Sequence, residues 1–329
     1  MSYSNSSLNT FTNCMQKYEQ IYILHNKPDK ISPHLTFGSM AHEVLYNAGR
    51  LRDEASDGVI SPGEYFKVIP SEVECLELKS EFNINSWENY FCNVIRTVAG
   101  YERDLVTNES KNGDVTIERE LKLQLSPEQL KADGVITDQS LVGVIDLLIM
   151  TKTSATIIDY KFSTTRKTQS DFDENSQLYL YSYMVHILYD IPLHNIQVGY
   201  IDIPKQMFEV PAVLKNGTLS RSKSQNCSGE MYKLAVEAIH EDDPYYNCEP
   251  GGYYYETYCE LQLNKPAYLQ TQYLDIEAYH NIINDVLNTI EVIENIQKNH
   301  LKFLRKYDSY SCKSCEYKKY CKYWLTEVW

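Results

Sequence analysis

The stretch from Gly143 to Ser163 constrains the fold more than any other part of the chain. It reads Gly143-Val-Ile-Asp146-Leu-Leu-Ile-Met150, then Thr151-Lys-Thr-Ser154, then Ala155-Thr-Ile-Ile-Asp159-Tyr160-Lys161-Phe-Ser163. Two β-branched apolar runs flank four polar turn formers, the pattern of a β-hairpin with a short connection. If Met150 and Ala155 close the turn, Asp146 lies directly across from Asp159, with Cβ atoms about 5 Å apart on one face. Side chains alternate faces, so Lys161 joins the two acids while Ile158, Tyr160 and Phe162 turn to the other side.

Carboxylates this close repel unless a positive charge separates them, and a divalent cation is the usual answer. Hard oxygen ligands select Mg²⁺ or Mn²⁺. A lysine two residues on can orient or help deprotonate water that such a cation activates, which makes a hydrolytic site for phosphodiesters. The same residues also suit an ordinary hairpin with a solvated polar face, and the stretch alone leaves both readings open.

The flanking segments build an α/β domain around this hairpin. Ser6-Ser7 predicts the cap of a helix running to about Leu24, with Leu8, Phe11, Met15, Tyr18 and Tyr22 as its apolar stripe and Cys14 one residue off it. Pro33 reads as a break, followed by a helix near Thr36–Arg52 that contains His42; a lone histidine there also suits a packed or surface residue. Ser61 to Leu105 predicts further helix, with Ser61-Pro62 as N-cap and first turn and Trp87, Tyr90, Phe91, Val94, Ile95 and Val98 as a stripe. Thr116–Leu125 alternates strictly and predicts a strand beside the hairpin, where Glu118 and Glu120 share a face, within reach of a metal or simply solvated. Asp173–Tyr189 predicts an amphipathic helix, with Gln177 and Tyr181 four apart on one side. Asn195–Ile203 predicts a strand, Ser228–Glu241 a helix, and Ile276–Arg305 a long helix burying Ile282, Ile283, Val286, Leu287, Ile290, Ile293 and Ile296. Lys215–Gln225 is a polar, basic loop, and Tyr245-Tyr246 and Tyr253–Tyr255 surround Pro250-Gly-Gly252; these tyrosines suit either base stacking or half-buried loop packing.

Charge and composition narrow the function classes. A formal charge of −14 leaves nucleic-acid contact to a local groove rather than to the whole surface. The opening Met1-Ser-Tyr-Ser-Asn-Ser-Ser is polar, and no apolar run approaches the roughly 18 residues a membrane span needs, so a cytoplasmic protein is expected. There is no P-loop motif, which excludes a nucleoside-triphosphate motor of that type. The 28 tyrosines against 13 glycines, with abundant Asn and Lys, look like coding bias.

Nine cysteines in a reducing compartment are poor disulfide candidates. Three of them form Cys312-x2-Cys315-x5-Cys321, which reads as a set of metal or cluster ligands one short of four. Between Lys298 and Lys322 there are eight Lys or Arg against Asp308 and Glu316, a surface suited to a phosphate backbone.

Taken together, Gly38-x3-His42, Gly143-x2-Asp146, Asp159-x-Lys161 and Gln177-x3-Tyr181, with Cys14 and the late Cys312, Cys315 and Cys321, resemble the PD-(D/E)XK nuclease superfamily. The likeness is to its RecB-type iron–sulfur branch, similar to CRISPR adaptation nucleases and the nuclease domains of bacterial recombination complexes. The insert Gly217–Gln225 also looks like a segment of bacteriophage-encoded relatives.

The resemblance implies a restriction-endonuclease-like α/β core, a central mixed β-sheet flanked by helices, with a helical insertion and a C-terminal iron–sulfur staple. It implies a single nuclease domain over 1–329: a helical layer at 36–110, the catalytic core at 114–203, an insert at 204–275, and a long helix with the Cys cluster at 276–329, joined to Cys14. His42, Asp146, Asp159 and the Tyr160 carbonyl would bind Mg²⁺ or Mn²⁺, Lys161 would position water, and Gln177 and Tyr181 would steady the site and the DNA strand. Cys14, Cys312, Cys315 and Cys321 would hold a [4Fe–4S] cluster, with Zn²⁺ as the alternative. The implied activity is a metal-dependent deoxyribonuclease, an exonuclease on single-stranded or unwound DNA ends in replication, recombination or repair, with a helicase or recombination partner, in a bacterial or phage-infected cytoplasm. The alternative is a non-catalytic DNA-end-binding or scaffold protein of the same fold.

Overall fold

The computed structural model describes residues 2–28, 31–55, 60, 62–71, 75, 78, 81–82, 84–163, 168–240, 243–304 and 309–321. In chain order the elements are β1 (Ser2–Tyr3), α1 (Asn5–Asn13), α2 (Met15–Tyr18, continued by a π-turn over Glu19–Ile23), α3 (Pro33–Glu54), α4 (Pro62–Tyr65) and α5 (Trp87–Glu109). Then follow β2 (Thr116–Leu125), α6 (Pro127–Ala132), β3 (Ser140–Met150), β4 (Ala155–Ser163), α7 (Gln169–Asp173), α8 (Ser176–Tyr189) and β5 (Ile196–Pro204). The remainder is α9 (Gly229–His240), α10 (Tyr255–Leu261), β6 (Tyr268–Tyr273), α11 (Ile276–Lys298) and α12 (Ser309–Lys313). No helix among the described residues is long and apolar enough to cross a membrane.

One mixed sheet organises these pieces. The hairpin β3–β4 pairs antiparallel in the expected register, Met150 with Ala155 through Leu147 with Ile158. The ends of its turn, Thr151 and Ser154, are buried while Lys152 and Thr153 are exposed, and α5 holds it: Ser154 and Thr156 donate to the Glu109 carboxylate, each at 2.7 Å. β5 joins β4 in parallel and β6 closes that side antiparallel. β2 lies along one edge of β3 as expected. The other edge of β3 meets β1 at Ser140–Leu141 and β4 from Leu147 onward. Between them, residues 142–146 pair with no strand on that edge among the described residues, so β3 and β4 part like the arms of a V.

Helices cover both faces of the sheet. On one face α1, α8 and α11 pack over Leu123, Leu141, Ile145, Ile157 and Val198. On the other, α3 and α5 bring Phe37, Trp87, Phe91 and Ile95 against Leu147, Ile149, Ile158 and Ile201. Full burial of such a side chain contributes about 1.5–3 kcal/mol, so these two layers hold the sheet. A third, smaller core within the 204–275 segment gathers Leu219, Cys227, Tyr232, Val236, Cys248, Tyr254 and Leu261. There Tyr254 is buried and Arg221 lies over the Tyr253 ring at 4.4 Å, which matches loop packing for these tyrosines.

Several boundaries differ from the sequence expectation. The N-terminal helix is capped by Ser4, not Ser6-Ser7, and it breaks at Cys14, whose backbone is extended (φ −162°, ψ 104°). Pro33 starts α3 instead of separating it, as its fixed φ suits a first helical turn. The helix expected across Ser61–Leu105 is two helices, α4 and α5, with Ser61 itself outside the described residues. The Asp173–Tyr189 segment likewise divides, because the Asn175 side chain accepts from the N–H groups of Gln177 and Leu178 and starts α8 afresh. α11 ends at Lys298 rather than Arg305, and His300 takes a left-handed φ of 53°; Ile282 and Leu287 are only partly buried.

Strict alternation in β2 also fails, at Glu120. Its φ is +46°, and the β2–β3 ladder skips it between Arg119–Leu147 and Leu121–Ile145. Ile117 packs with the α3–α5 side, whereas Leu121, Leu123 and Leu125 pack with the opposite side. The same exchange of faces occurs on β3 between Ile145 and Leu147. The register is the same on both sides, so no residue is inserted: one residue in each strand, Glu120 and Asp146, drops out of the ladder, and the side chains beyond it change faces.

Candidate active site

Asp146 sits at the point where the hairpin opens. In place of a strand-to-strand bond, the Tyr160 N–H donates to Asp146 Oδ2 at 2.7 Å, so the side chain is inserted between the strands. One residue earlier on β4, Asp159 is 3% exposed. Lys161 Nζ stands 2.6 Å from Asp159 Oδ2, an ion pair that falls short of hydrogen-bond geometry; that buried oxygen accepts no hydrogen bond among the described residues. Lys161 donates instead to Gln177 Oε1 at 2.8 Å, and Gln177 Nε2 donates to the Tyr181 hydroxyl at 2.9 Å. The ammonium also lies 5.8 Å from the centre of the buried Tyr200 ring.

Close approach of α8 explains the glycine of the Gly143-x2-Asp146 motif. A Cβ at position 143 would come within 2.9 Å of Tyr181 Cε1 and 3.1 Å of Met184 Sδ. Only a bare backbone lets Tyr181 descend into the open part of the sheet.

His42 arrives from α3, on the other layer. Its Nδ1 is 3.2 Å from Asp146 Oδ1, and its ring packs edge-on against Phe162 at 5.2 Å. A shallow recess joins His42, Asp146 and Tyr160 with Leu45, Tyr46, Arg119 and Glu120. Glu118 is in the ladder and Glu120, with its left-handed φ, drops out of it, so the two do not follow the simple shared-face pattern.

Burial and crowding set the charge state of these groups. Burial pushes the Asp159 carboxyl up from 3.8 to about 6; Lys161 opposes the rise and Asp146 adds to it. Burial alone would lower His42, but the hydrogen bond and charge of Asp146 outweigh it and raise it. An acid raised on folding favours the fold most below its unfolded pKa and loses that contribution as pH climbs through its folded value. A histidine raised on folding does the same, from about 6.5 upward. Both signs agree, so in EDTA the melting temperature should fall between pH 5 and pH 8. Mn²⁺ should offset the fall, because a cation binds the ionised carboxylates. Calorimetric scans across that range check this; a melting temperature in EDTA that rises from pH 5 to pH 8 would contradict it.

The second predicted cluster lies at the chain ends. Cys14, Cys312, Cys315 and Cys321 line one cavity with Gln16, Lys17, Gln20, Tyr317 and Lys318. All four are free thiols and partly buried. The break in the helix at Cys14 accompanies this arrangement, and Gln16 N–H donates to Leu304 O at 3.1 Å just beyond it. Phe303 packs against Phe11 and Tyr18. Burial pushes the Cys315 thiol up, with Lys17 opposing and Cys14 and Cys321 adding to the rise. Part of the basic run, Arg305, Lys306 and Lys322, lies outside the described residues.

Among the described residues, no three His, Cys, Asp or Glu side chains are drawn together tightly enough to enclose a metal ion. The donor chemistry nonetheless fits one at both places. Asp159 keeps a buried oxygen without a hydrogen bond, next to a second carboxylate and an imidazole. Four thiols face one cavity at the other.

A mixed sheet covered by helices on both faces, with an Asp at the fork of a hairpin and an Asp-x-Lys on its partner strand, is the arrangement of a hydrolase acting on nucleic-acid backbones. The chain belongs to the PD-(D/E)XK nuclease superfamily, whose family model matches residues 2–322. A search of the curated proteins finds no match. Among solved structures, one named "Putative exonuclease" from Eubacterium rectale is similar, with 8% identity, a TM-score of 0.44 and coverage of 95% of this chain and 93% of the other. Another, SSO0001, shows 12% identity, a TM-score of 0.28 and coverage of 95% and 96%. Both superpositions are too loose to carry a function across.

Sequence reading missed two features beside the site. The left-handed backbone at Glu120 had no glycine to announce it. The buried acid Glu102 did leave a signal: it falls on the apolar stripe of α5, four residues after Val98 and three before Leu105, where a carboxylate needs partners.

Proposed function

We propose that this nuclease is a Mg²⁺- or Mn²⁺-dependent deoxyribonuclease of the RecB-type branch, acting as an exonuclease on single-stranded or unwound DNA ends. The observation that carries the reading is the Asp159–Lys161 pair, joined through Gln177 to Tyr181 and set beside Asp146 at the fork of the hairpin. Asp146, Asp159, the Tyr160 carbonyl and His42 would hold the cation. When bound, it would polarise the scissile phosphate and acidify water. Lys161 places a positive charge beside the phosphate and orients water for attack; Gln177 holds the ammonium in place, and Tyr181 holds Gln177. Asp159 lies buried at the fork, and Phe162 walls the His42 side.

The reading extends to a [4Fe–4S] cluster on Cys14, Cys312, Cys315 and Cys321, supported by their shared cavity. It extends also to DNA loaded by a helicase or recombination partner in a bacterial or phage-infected cytoplasm; sequence likeness alone supports that part.

Digestion of 5′- and 3′-labelled single- and double-stranded oligonucleotides with Mn²⁺ tests the activity. A ladder starting from one labelled end of the single strand is expected. Binding of DNA ends without any cleavage would instead favour a scaffold protein of this fold. Brown, iron-containing protein is expected from anaerobic purification. Colourless protein with stoichiometric zinc would replace the cluster with Zn²⁺.

A further inference from the structure

Beneath the site lies a buried ionic knot that the proposed chemistry does not use. Glu102 of α5 is 5% exposed. Its Oε2 accepts from Arg52 Nη2 at 2.6 Å and from Arg119 Nη2 at 2.9 Å, and its Oε1 accepts from the Tyr160 hydroxyl at 2.7 Å. Arg119 also donates to Asp53, from Nε at 2.7 Å and from Nη2 at 3.1 Å. Burial alone would raise the Glu102 carboxyl; the two guanidinium groups outweigh it and hold it low. The knot has shaped α3 as well, since a Cβ at Gly49 would sit 2.6 Å from the Arg119 guanidinium. A mid-helix glycine costs about 1 kcal/mol relative to alanine, and here it clears a path for that arginine.

Every element tied by this carboxylate also carries part of the site. Arg52 and Asp53 lie on α3, which bears His42. Arg119 lies on β2 beside the break in the ladder at Glu120 and opposite Leu147, the neighbour of Asp146. Tyr160 stands between Asp159 and Lys161, and its N–H holds Asp146. A purely structural role is a weak account, because buried ion pairs gain little over an apolar replacement of the same volume. The knot is also incompletely satisfied, since Arg52 Nη1 is buried without a hydrogen-bond partner among the described residues.

We propose that Glu102 is a positioning residue: through the Tyr160 hydroxyl it ties the Asp159–Lys161 strand to the helix bearing His42, and so keeps Asp159 and the Tyr160 backbone beside Asp146 and His42, where a divalent cation would bind. This rests on the nuclease reading above and adds to it a support that acts from inside the core. Partners of this outer kind typically account for 10- to 100-fold in metal affinity.

Tyr160→Phe is the sharpest test, because it deletes one hydroxyl and leaves Glu102 with both arginines. Mn²⁺ titrations by calorimetry, together with melting scans in EDTA, should be run on the wild type, Tyr160→Phe and Asp159→Ala. The expected result is a Kd for Mn²⁺ weakened about tenfold in Tyr160→Phe, with a melting temperature in EDTA close to wild type. The Mn²⁺ concentration giving half-maximal DNA cleavage should rise by the same factor. An unchanged Kd overturns the positioning role, whatever happens to the melting temperature. Glu102→Gln, which keeps an acceptor for the hydroxyl but loses the charge, should bind Mn²⁺ more tightly than Tyr160→Phe; weaker binding also counts against the role. If the wild type takes up Mn²⁺ and Asp159→Ala does not, the nuclease reading stands regardless of Tyr160→Phe. If the wild type takes up none, that reading fails and this one with it.

Discussion

Lys161→Ala should lower DNA cleavage by about 10²- to 10³-fold, the usual loss when one preorganised stabiliser of transition-state charge is removed. Lys161 is partly exposed, with 27% of its side chain reached by solvent, so the core loses little packing. Its partners Gln177 and Tyr181 stay hydrogen-bonded to each other. Asp159→Asn should go further and abolish cleavage, while in EDTA at pH 7 it leaves the melting temperature equal to or above that of the wild type. The reason is the burial that lifts the Asp159 carboxyl to about 6. By pH 7 its ionisation opposes folding, and a neutral amide removes that penalty. Rate measurements with labelled DNA, paired with thermal scans, test both halves. Cleavage by both variants at the wild-type rate would refute the site assignment.

Glu102→Ala should cost stability rather than chemistry alone. Removing one member of a buried ionic group leaves the others uncompensated, at a typical cost of 3–5 kcal/mol. Here the orphans are two guanidinium groups and a tyrosine hydroxyl, all turned towards one vacated carboxylate. Urea unfolding should show the midpoint shifted sharply down at a similar slope. A midpoint within error of the wild type would mean that water reaches Arg52 and Arg119 and solvates them. The contrast with Tyr160→Phe is informative, because that variant keeps every charge in the knot paired.

The parts of the fold that could be read in advance rest on short-range rules. β3 and β4 are β-branched apolar runs around a four-residue polar turn, and they pair in the expected register from Met150–Ala155 to Leu147–Ile158; the ladder ends one pair short of Asp146 and Asp159, where the Tyr160 N–H bonds the Asp146 side chain instead. Gln177 and Tyr181 are helical neighbours, and they bond to each other. Family membership followed from the same residues. What escaped depended on distant contacts. The spacing of Leu8, Phe11, Met15, Tyr18 and Tyr22 runs without interruption through Cys14, and no Gly or Pro marks the break there. That break accompanies contacts with Phe303, Leu304 and the late cysteines, nearly a whole chain away. At Glu120 a left-handed backbone is adopted by a residue type that rarely takes it, opposite Asp146, where the ladder is interrupted. Glu102 was legible as an acid on an apolar stripe, but its partners come from α3, β2 and β4 and follow no local pattern.

The packing of Phe11 and Tyr18 against Phe303 has a consequence for biogenesis. Ribosomes extend a chain at about 5–20 residues per second. The first helices therefore emerge tens of seconds before the aromatic ring that covers them exists. Throughout that interval the part of their apolar side that Phe303 covers is bare, and a ribosome stalled late in the message would release a polypeptide with that part still unclothed.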